Sequence, residues 1–239
     1  MSDERLLVAL DVETGARALE IAAALKGLAG GFKIGTRLFT LEGPRVVREL
    51  VSRGERVFLD LKFHDIPNTV AQAVESAVQT GAWMINVHAS GGVHMMEGAV
   101  SAGRDTARRL GQTPPLLVAV TVLTSMDAQT LRDVGVERLI LGQVVALAKM
   151  TQAAGMDGVV ASAQEATEIR RACGQKFVIV TPGIRGASAQ AKPDDQTRTV
   201  GPAGAIRAGA THIVVGRPII ASPDPRAAAA AIVEELQGA

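Results

Sequence analysis

Along this chain a short apolar run is followed by a polar or glycine-rich turn and then by a longer segment with helical spacing, and the cycle repeats. Eight runs mark strands: LLVALD (6–11), GFKIG (31–35), RVFLDLK (56–62), WMINVHAS (83–90), LLVAVTVLT (116–124), MDGVVAS (156–162), KFVIVTPGI (176–184) and HIVVGRP (212–218). Nearly continuous apolar character over so few residues predicts parallel strands covered on both faces. Between them lie segments such as ARALEIAAALKG, PNTVAQAVESAVQTG and AAAAAIVEELQGA. Their apolar residues recur every three or four positions, which predicts amphipathic helices. Gly27, Gly54, Gly81 and Gly155 each close a helical segment just before a strand, as the left-handed helix terminus favours.

Eight strands alternating with helices predict an α/β protein, a single (β/α)8 TIM barrel, with residues 1–239 as one domain. A doubly wound open sheet is the alternative, but no glycine-rich dinucleotide turn follows the first strand. In such barrels chemistry gathers at the C-terminal ends of the strands. Read in order, those ends carry Asp11, Lys33, Asp60 with Lys62, His88, Thr124, Ser162, Arg185 and Arg217. The stretch GASAQAKPDDQT (186–197) is the long polar loop after strand seven.

Composition narrows the function. Of 239 residues, 47% are apolar, enough for a sizeable core, and the formal charge is only +1. No stretch concentrates Lys and Arg, which excludes a nucleic-acid partner that needs a basic face. A single phosphate in a pocket needs only a few donors and stays open. Cys173 is the sole cysteine, so neither an intramolecular disulfide nor a cysteine metal cluster is expected, and it reads as a structural thiol. MSDERLLVALD lacks a basic segment followed by a long apolar one, and no apolar run reaches membrane-spanning length. A soluble, cytoplasmic protein with no membrane partner is the expectation.

The densest chemical signal is DLKFHDIPNT, residues 60–69. Asp60 and Lys62 are two apart on a strand, so regular alternation projects both to one face. Asp65 follows at the turn into a helix, and Pro67 suits that helix's first turn. A lysine between two carboxylates stays protonated. Such an ammonium can still give up its proton when a strong enough base forms beside it.

DLKFHDIPNT resembles the Asp-x-Lys-x-x-Asp signature of the orotidine 5′-phosphate decarboxylase family, and the resemblance runs over nearly the whole chain. LLVALD, FKIGTRLF, VTVLTSM, DGVVASAQE, TPGIRG, DDQTR and VVGRPI fall in the family's order at compatible spacings. The resemblance implies decarboxylation of orotidine 5′-monophosphate (OMP) to UMP and carbon dioxide, with no metal and no cofactor. It implies Lys62 as proton donor to carbon six of the pyrimidine and Asp60 beside the departing carboxylate. Lys33 and Asp65 complete an alternating charge network. It further implies a homodimer in which Asp65 and Thr69 enter the neighbouring subunit's site. Asp11 and Lys33 are then ribose contacts, Thr124 a contact to the base, and Gln196 a bridge between phosphate and base. Arg185, Gly216 and Arg217 follow strands seven and eight, where barrels often hold phosphate, and the polar loop carrying Gln196 is expected to close over substrate. Gly186 departs from the family, which frequently has Pro there.

The remaining candidates have plainer readings. His88 is expected to be a hydrogen-bonded barrel histidine, because no second His or carboxylate shares its strand. His64 is expected to point away from Lys62, His94 and His212 to be structural or exposed, and Trp83 to serve packing. Gly91 and Gly92 read as a loop into a helix. Two rival functions remain. One is a magnesium-dependent sugar-phosphate decarboxylase or aldolase of the same superfamily, which carries an acidic residue where this chain has Lys33. The other is a non-catalytic nucleotide-binding barrel, which predicts loss of Lys62 or of the phosphate arginine.

Overall fold

A computed structural model describes residues 3–184 and 200–239. Its strands are β1 (Asp3–Ala9), β2 (Ala29–Gly35), β3 (Val57–Phe63), β4 (Met84–His88), β5 (Leu116–Val120), β6 (Gly158–Val160), β7 (Val178–Thr181) and β8 (His212–Val215). All neighbours pair in parallel and β8 returns to β1, closing the barrel. The helices among the described residues are α1 (Gly15–Ala24), α2 (Thr36–Glu42), α3 (Pro44–Ser52), α4 (Pro67–Val78), α5 (Val93–Arg109) and α6 (Ala128–Asp133). They continue with α7 (Ile140–Ala153), α8 (Ala163–Cys173), α9 (Pro202–Arg207), α10 (Arg217–Ile220) and α11 (Pro225–Gln237). None is long and apolar enough to cross a membrane.

Two apolar layers follow from the period of two along each strand. Leu6, Val8, Phe32, Ile34, Val57, Leu59, Ile85 and Val87 face outward and are buried beneath the helices. Leu7, Ala9, Phe58, Met84, Val118, Val120, Val160, Val180 and Val214 fill the barrel interior. A fully buried side chain of the size of Phe58 or Met84 contributes roughly 1.5–3 kcal/mol, so the interior is a packed plug rather than a pore. β2 contributes no apolar side chain to that plug. Its inward positions are Gly31, Lys33 and Gly35. A Cβ at Gly31 would approach the Arg56 carbonyl oxygen to 2.9 Å and Leu7 Cδ2 to 3.2 Å. Neighbouring strands therefore crowd β2 at its base, and the long lysine stem rises through the space above.

Trp83 and His212 lie at the opposite, N-terminal end of the barrel. Their rings meet edge to face at 5.5 Å, and the Arg56 guanidinium lies 5.4 Å over the indole. Burial, helped by Arg56, holds His212 neutral with a pKa pushed down to about 4. Trp83 packs, as its position implied, and His94 is exposed beside Glu97. Cys173 is buried at the end of α8, and burial pushes its thiol up.

Several strands are shorter than the apolar runs suggested. β1 ends at Ala9 and β5 at Val120, so Asp11 and Thr124 stand on the loops just beyond them. Ser162 is no strand-end chemical group. It is fully buried and caps α8, its hydroxyl accepting from the Gln164 N–H at 3.3 Å. The cap satisfies a backbone donor that a helix start otherwise leaves open. Gly27, Gly54, Gly81 and Gly155 all adopt positive φ, between 78° and 84°, as helix termini of this kind require. Gly92, at φ 87°, leads into α5.

Candidate active site

At the C-terminal mouth four charged groups form a chain of alternating sign. Lys33 Nζ donates to Asp11 Oδ1 at 3.1 Å and pairs with Asp60 Oδ2 at 3.3 Å. Lys62 Nζ donates to the other oxygen, Asp60 Oδ1, at 2.7 Å. The order Asp11–Lys33–Asp60–Lys62 thus runs from the loop after β1 through β2 to β3 with no net charge. Lys33 and Asp60 are buried, while the Lys62 side chain is 34% exposed and Asp11 more so. Burial alone would push the Lys33 ammonium down, but Asp60 and Asp11 outweigh it and raise its pKa above the ordinary lysine value. Lys33 is a fixed positive charge. Removing either lysine would leave the Asp60 carboxylate less compensated in a poorly solvated place, which is strongly destabilising for buried pairs.

Two features that the sequence reading missed shape this chain. The first is Gly35. A Cβ built there would stand 2.9 Å from Lys33 Nζ and 3.3 Å from Asp11 Oδ1, so the absent side chain makes room for that ion pair. The second is a break in the pairing of β3 with β4. Leu59 pairs with Ile85, yet the next pair is Phe63 with Val87, so β3 carries two extra residues there. Lys62 lies inside this bulge at φ 54°, the one positive-φ residue other than glycine among the described residues. A left-handed conformation costs a non-glycine residue about 1–2 kcal/mol. Bulges re-aim side chains beside active sites. The shared direction of Asp60 and Lys62 was expected from simple alternation. Their contact is real, but a bulge produces it.

The bulge also corrects the reading of the histidines. His64, just after it, lies against His88 with ring centroids 5.4 Å apart. No hydrogen bond to the His88 ring is found among the described residues, so the expected hydrogen-bonded barrel histidine gives way to a ring pair. Burial, then His64 and Lys62, pushes the His88 pKa down. His88 is therefore neutral near pH 7.

Asp65 and Thr69 are not part of the chain's own cluster. Both are exposed, and Asp65 Oδ1 accepts the Ile66 N–H at 2.6 Å. Among the described residues of one copy, Lys62 has Asp60 as its carboxylate partner, not the two that the sequence suggested. Ile66, between them, is 66% exposed. Thr124 is half-buried on the loop after β5. Gly216 and Arg217 follow β8, with Arg217 exposed at the head of α10. A cleft of about 430 Å³ runs beside the charge chain, lined by Asp11, Thr14, Arg17, Arg37, Arg217 and Ile220, among others. Arg185, Gly186 and Gln196 lie outside the described residues.

Chemically, the mouth offers a buried carboxylate held between two ammonium groups, one of them partly open to solvent. It can place an ammonium, with a transferable proton, beside an atom that gains negative charge. In the adjacent cleft Arg17 pairs with Glu20 and Arg37 with Glu13, and Arg217 stands at its rim after β8. Lys33 already occupies the space between Asp11 and Asp60, where a divalent cation would need those carboxylates.

Comparison with known proteins gives one family. The family model for the orotidine 5′-phosphate decarboxylase / HUMPS family matches residues 4–232. Orotidine 5′-phosphate decarboxylase of Syntrophotalea carbinolica is 52% identical over 236 residues, covering 99% of this chain and 96% of that protein. The protein of the same name from Chromohalobacter salexigens is 53% identical over 234 residues, covering 98% and 96%. Among solved structures, orotidine 5′-phosphate decarboxylase from Lactobacillus acidophilus superposes with a TM-score of 0.86 at 35% identity, covering 98% of this chain and 99% of that one.

Proposed function

This chain belongs to the orotidine 5′-phosphate decarboxylase / HUMPS family, and from that premise we propose that it converts OMP to UMP and carbon dioxide. The observation that carries the reading is the ammonium of Lys62, 2.7 Å from a buried carboxylate and re-aimed by a strand bulge. In the reaction the bond from carbon six to the carboxylate carbon breaks and its electron pair stays on carbon six. Lys62 delivers a proton to that pair, giving the new C–H bond, and the neutral amine regains its proton from solvent. A cation aimed at the developing carbanion interacts more strongly with the transition state than with the ground state, which is the condition for catalysis.

Lys62 does not act alone. General acid catalysis contributes roughly 10²–10⁴-fold, whereas enzymes lower barriers by about 8–23 kcal/mol. Asp60, next to the departing carboxylate, adds repulsion that carbon dioxide release relieves. Binding of ribose and phosphate offsets that crowding. Asp11 and Lys33 hold the ribose, Thr124 the base, and Gly216 and Arg217 the phosphate, with Arg185 and Gln196 completing the set by the family resemblance. The place of Arg217 in the cleft beside Asp11 supports the phosphate assignment. An ammonium, not a carboxylate, at Lys33 favours this reading over a magnesium-dependent relative, since hard divalent cations need oxygen ligands.

The working unit is a homodimer in which Asp65 and Thr69 reach the partner's site. Their exposure, with Ile66 bare between them, supports a protein surface that another copy covers. The chain acts as one domain, and phosphorylated substrates that do not cross membranes unaided fit a cytoplasmic enzyme. The test is direct. Mixing the protein with OMP in the presence of a chelator removes the orotate-ring absorbance at a catalytic rate. A spectrum unchanged by catalytic amounts of enzyme contradicts the reading.

A further inference from the structure

Opposite the bulge in β3 stands a single residue of β4, and it is Asn86. Leu59 and Phe63 pair with Ile85 and Val87, so Asp60, Leu61 and Lys62 all face that one position. Asn86 is fully buried and shares the inward direction of Met84. An amide there needs both a donor and an acceptor partner, because an unsatisfied buried polar group costs about 1–3 kcal/mol. It finds both in the bulge. Asn86 Oδ1 accepts the Lys62 backbone N–H at 2.8 Å, and Asn86 Nδ2 donates to Asp60 Oδ1 at 2.6 Å.

The second contact is to the same oxygen that accepts from Lys62 Nζ. One amide thus grips the reactive lysine at its backbone and, through Asp60, at its ammonium. The first contact replaces the ladder hydrogen bond that the bulge interrupts and ties down the backbone at φ 54°. Both edges of the amide are used for different purposes. Leucine has the same branched heavy-atom skeleton, though it is bulkier, and supplies neither group, and an ionised aspartate supplies only the acceptor.

We propose that Asn86 is a positioning residue for decarboxylation, holding Lys62 in its left-handed conformation and orienting Asp60 so that ammonium and carboxylate act on the same substrate atom. The inference rests on the decarboxylase reading above and deepens it. Asn86 does not touch substrate. It acts through the two groups that do.

Two substitutions test it. Asn86→Leu removes both contacts while keeping the branching and heavy-atom count of the side chain. Its kcat should fall by about 10–100-fold, as expected for a displaced reacting group, while UMP affinity stays within about threefold. A crystal structure of the same variant reads the geometry without turnover: Lys62 should leave positive φ, and its contact with Asp60 should lengthen or vanish. Asn86→Asp keeps the shape. As the neutral acid, its hydroxyl donates to Asp60 as the amide did, but as the carboxylate it repels Asp60. Its kcat relative to the parent should therefore rise as pH is lowered from about 8 to about 5. The charged and titratable groups around that position are Asp60 and Lys62 on β3, Lys33 on β2, Asp11 beyond β1, His88 on β4 and His64 beside it. The residues β5 presents to it, Val118 and Val120, do not titrate.

A parent enzyme that fails to consume OMP overturns the decarboxylase reading, and the crystal structure of Asn86→Leu still judges the positioning role. If Asn86→Leu does not fold, the pH profile of Asn86→Asp decides. The proposal is overturned by unchanged Lys62 φ and Lys62–Asp60 distance in Asn86→Leu, by kcat within about threefold of the parent there, or by an Asn86→Asp ratio flat with pH.

Discussion

A lysine deep in a barrel needs room as well as partners, and Gly35 supplies the room. With its virtual Cβ only 2.9 Å from Lys33 Nζ, Gly35→Ala should fold, since the obstacle is the flexible end of a side chain. It should displace the ammonium from Asp11 and Asp60, so OMP turnover should fall by about 10–100-fold and the melting temperature should drop as Asp60 loses part of its compensation. Turnover equal to the parent's would mean that Lys33 is not held where the ion pairs put it. Of these residues the charged ones were legible in sequence, because a charge ending an apolar strand is conspicuous. Gly35 and Asn86 were not. A glycine in a strand reads as a weak point, and an asparagine in MINVH reads as an interruption, until a neighbouring strand shows what each one meets.

The eight strands were readable because parallel strands are apolar on both faces, yet their ends were drawn too far. Asp11 and Thr124 fall on loops, since apolar runs continue past the last ladder hydrogen bond. The β3 bulge left no trace in DLKF, which contains neither glycine nor proline, and the Lys62 N–H at positive φ meets its partner on another strand, at Asn86 of β4. α10 was missed, because HIVVGRP read as strand through Pro218, whereas β8 stops at Val215 and Pro218 lies in the first turn of α10. If Arg217 holds the phosphate from there, Arg217→Ala should raise the KM for OMP by about 10–100-fold, the worth of a charge-assisted hydrogen bond. Orotidine, which lacks the phosphate, should be turned over equally by both enzymes. An unchanged KM would remove Arg217 from the phosphate site.

A closed barrel brings residues more than two hundred positions apart in the chain, Asp11 and Arg217, to one cleft, and this convergence followed from strand order alone. Asp65 pairs with no cation among the described residues of a single copy, because its place at the exposed turn after β3 aims it outward. If it serves the partner's site, Lys62→Ala and Asp65→Asn are each inactive, but mixing and re-equilibrating them should restore about a quarter of the parent activity. Half the dimers are then mixed, and each mixed dimer has one intact site. Activity no greater than the sum of the separate variants would place Asp65 outside the partner's site. The central claim remains the proton from Lys62. The rate of UMP formation by Lys62→Ala, measured with UMP binding shown intact, tests it most directly. A fall of at least about 10²-fold is predicted, and formation at the parent's rate would contradict it.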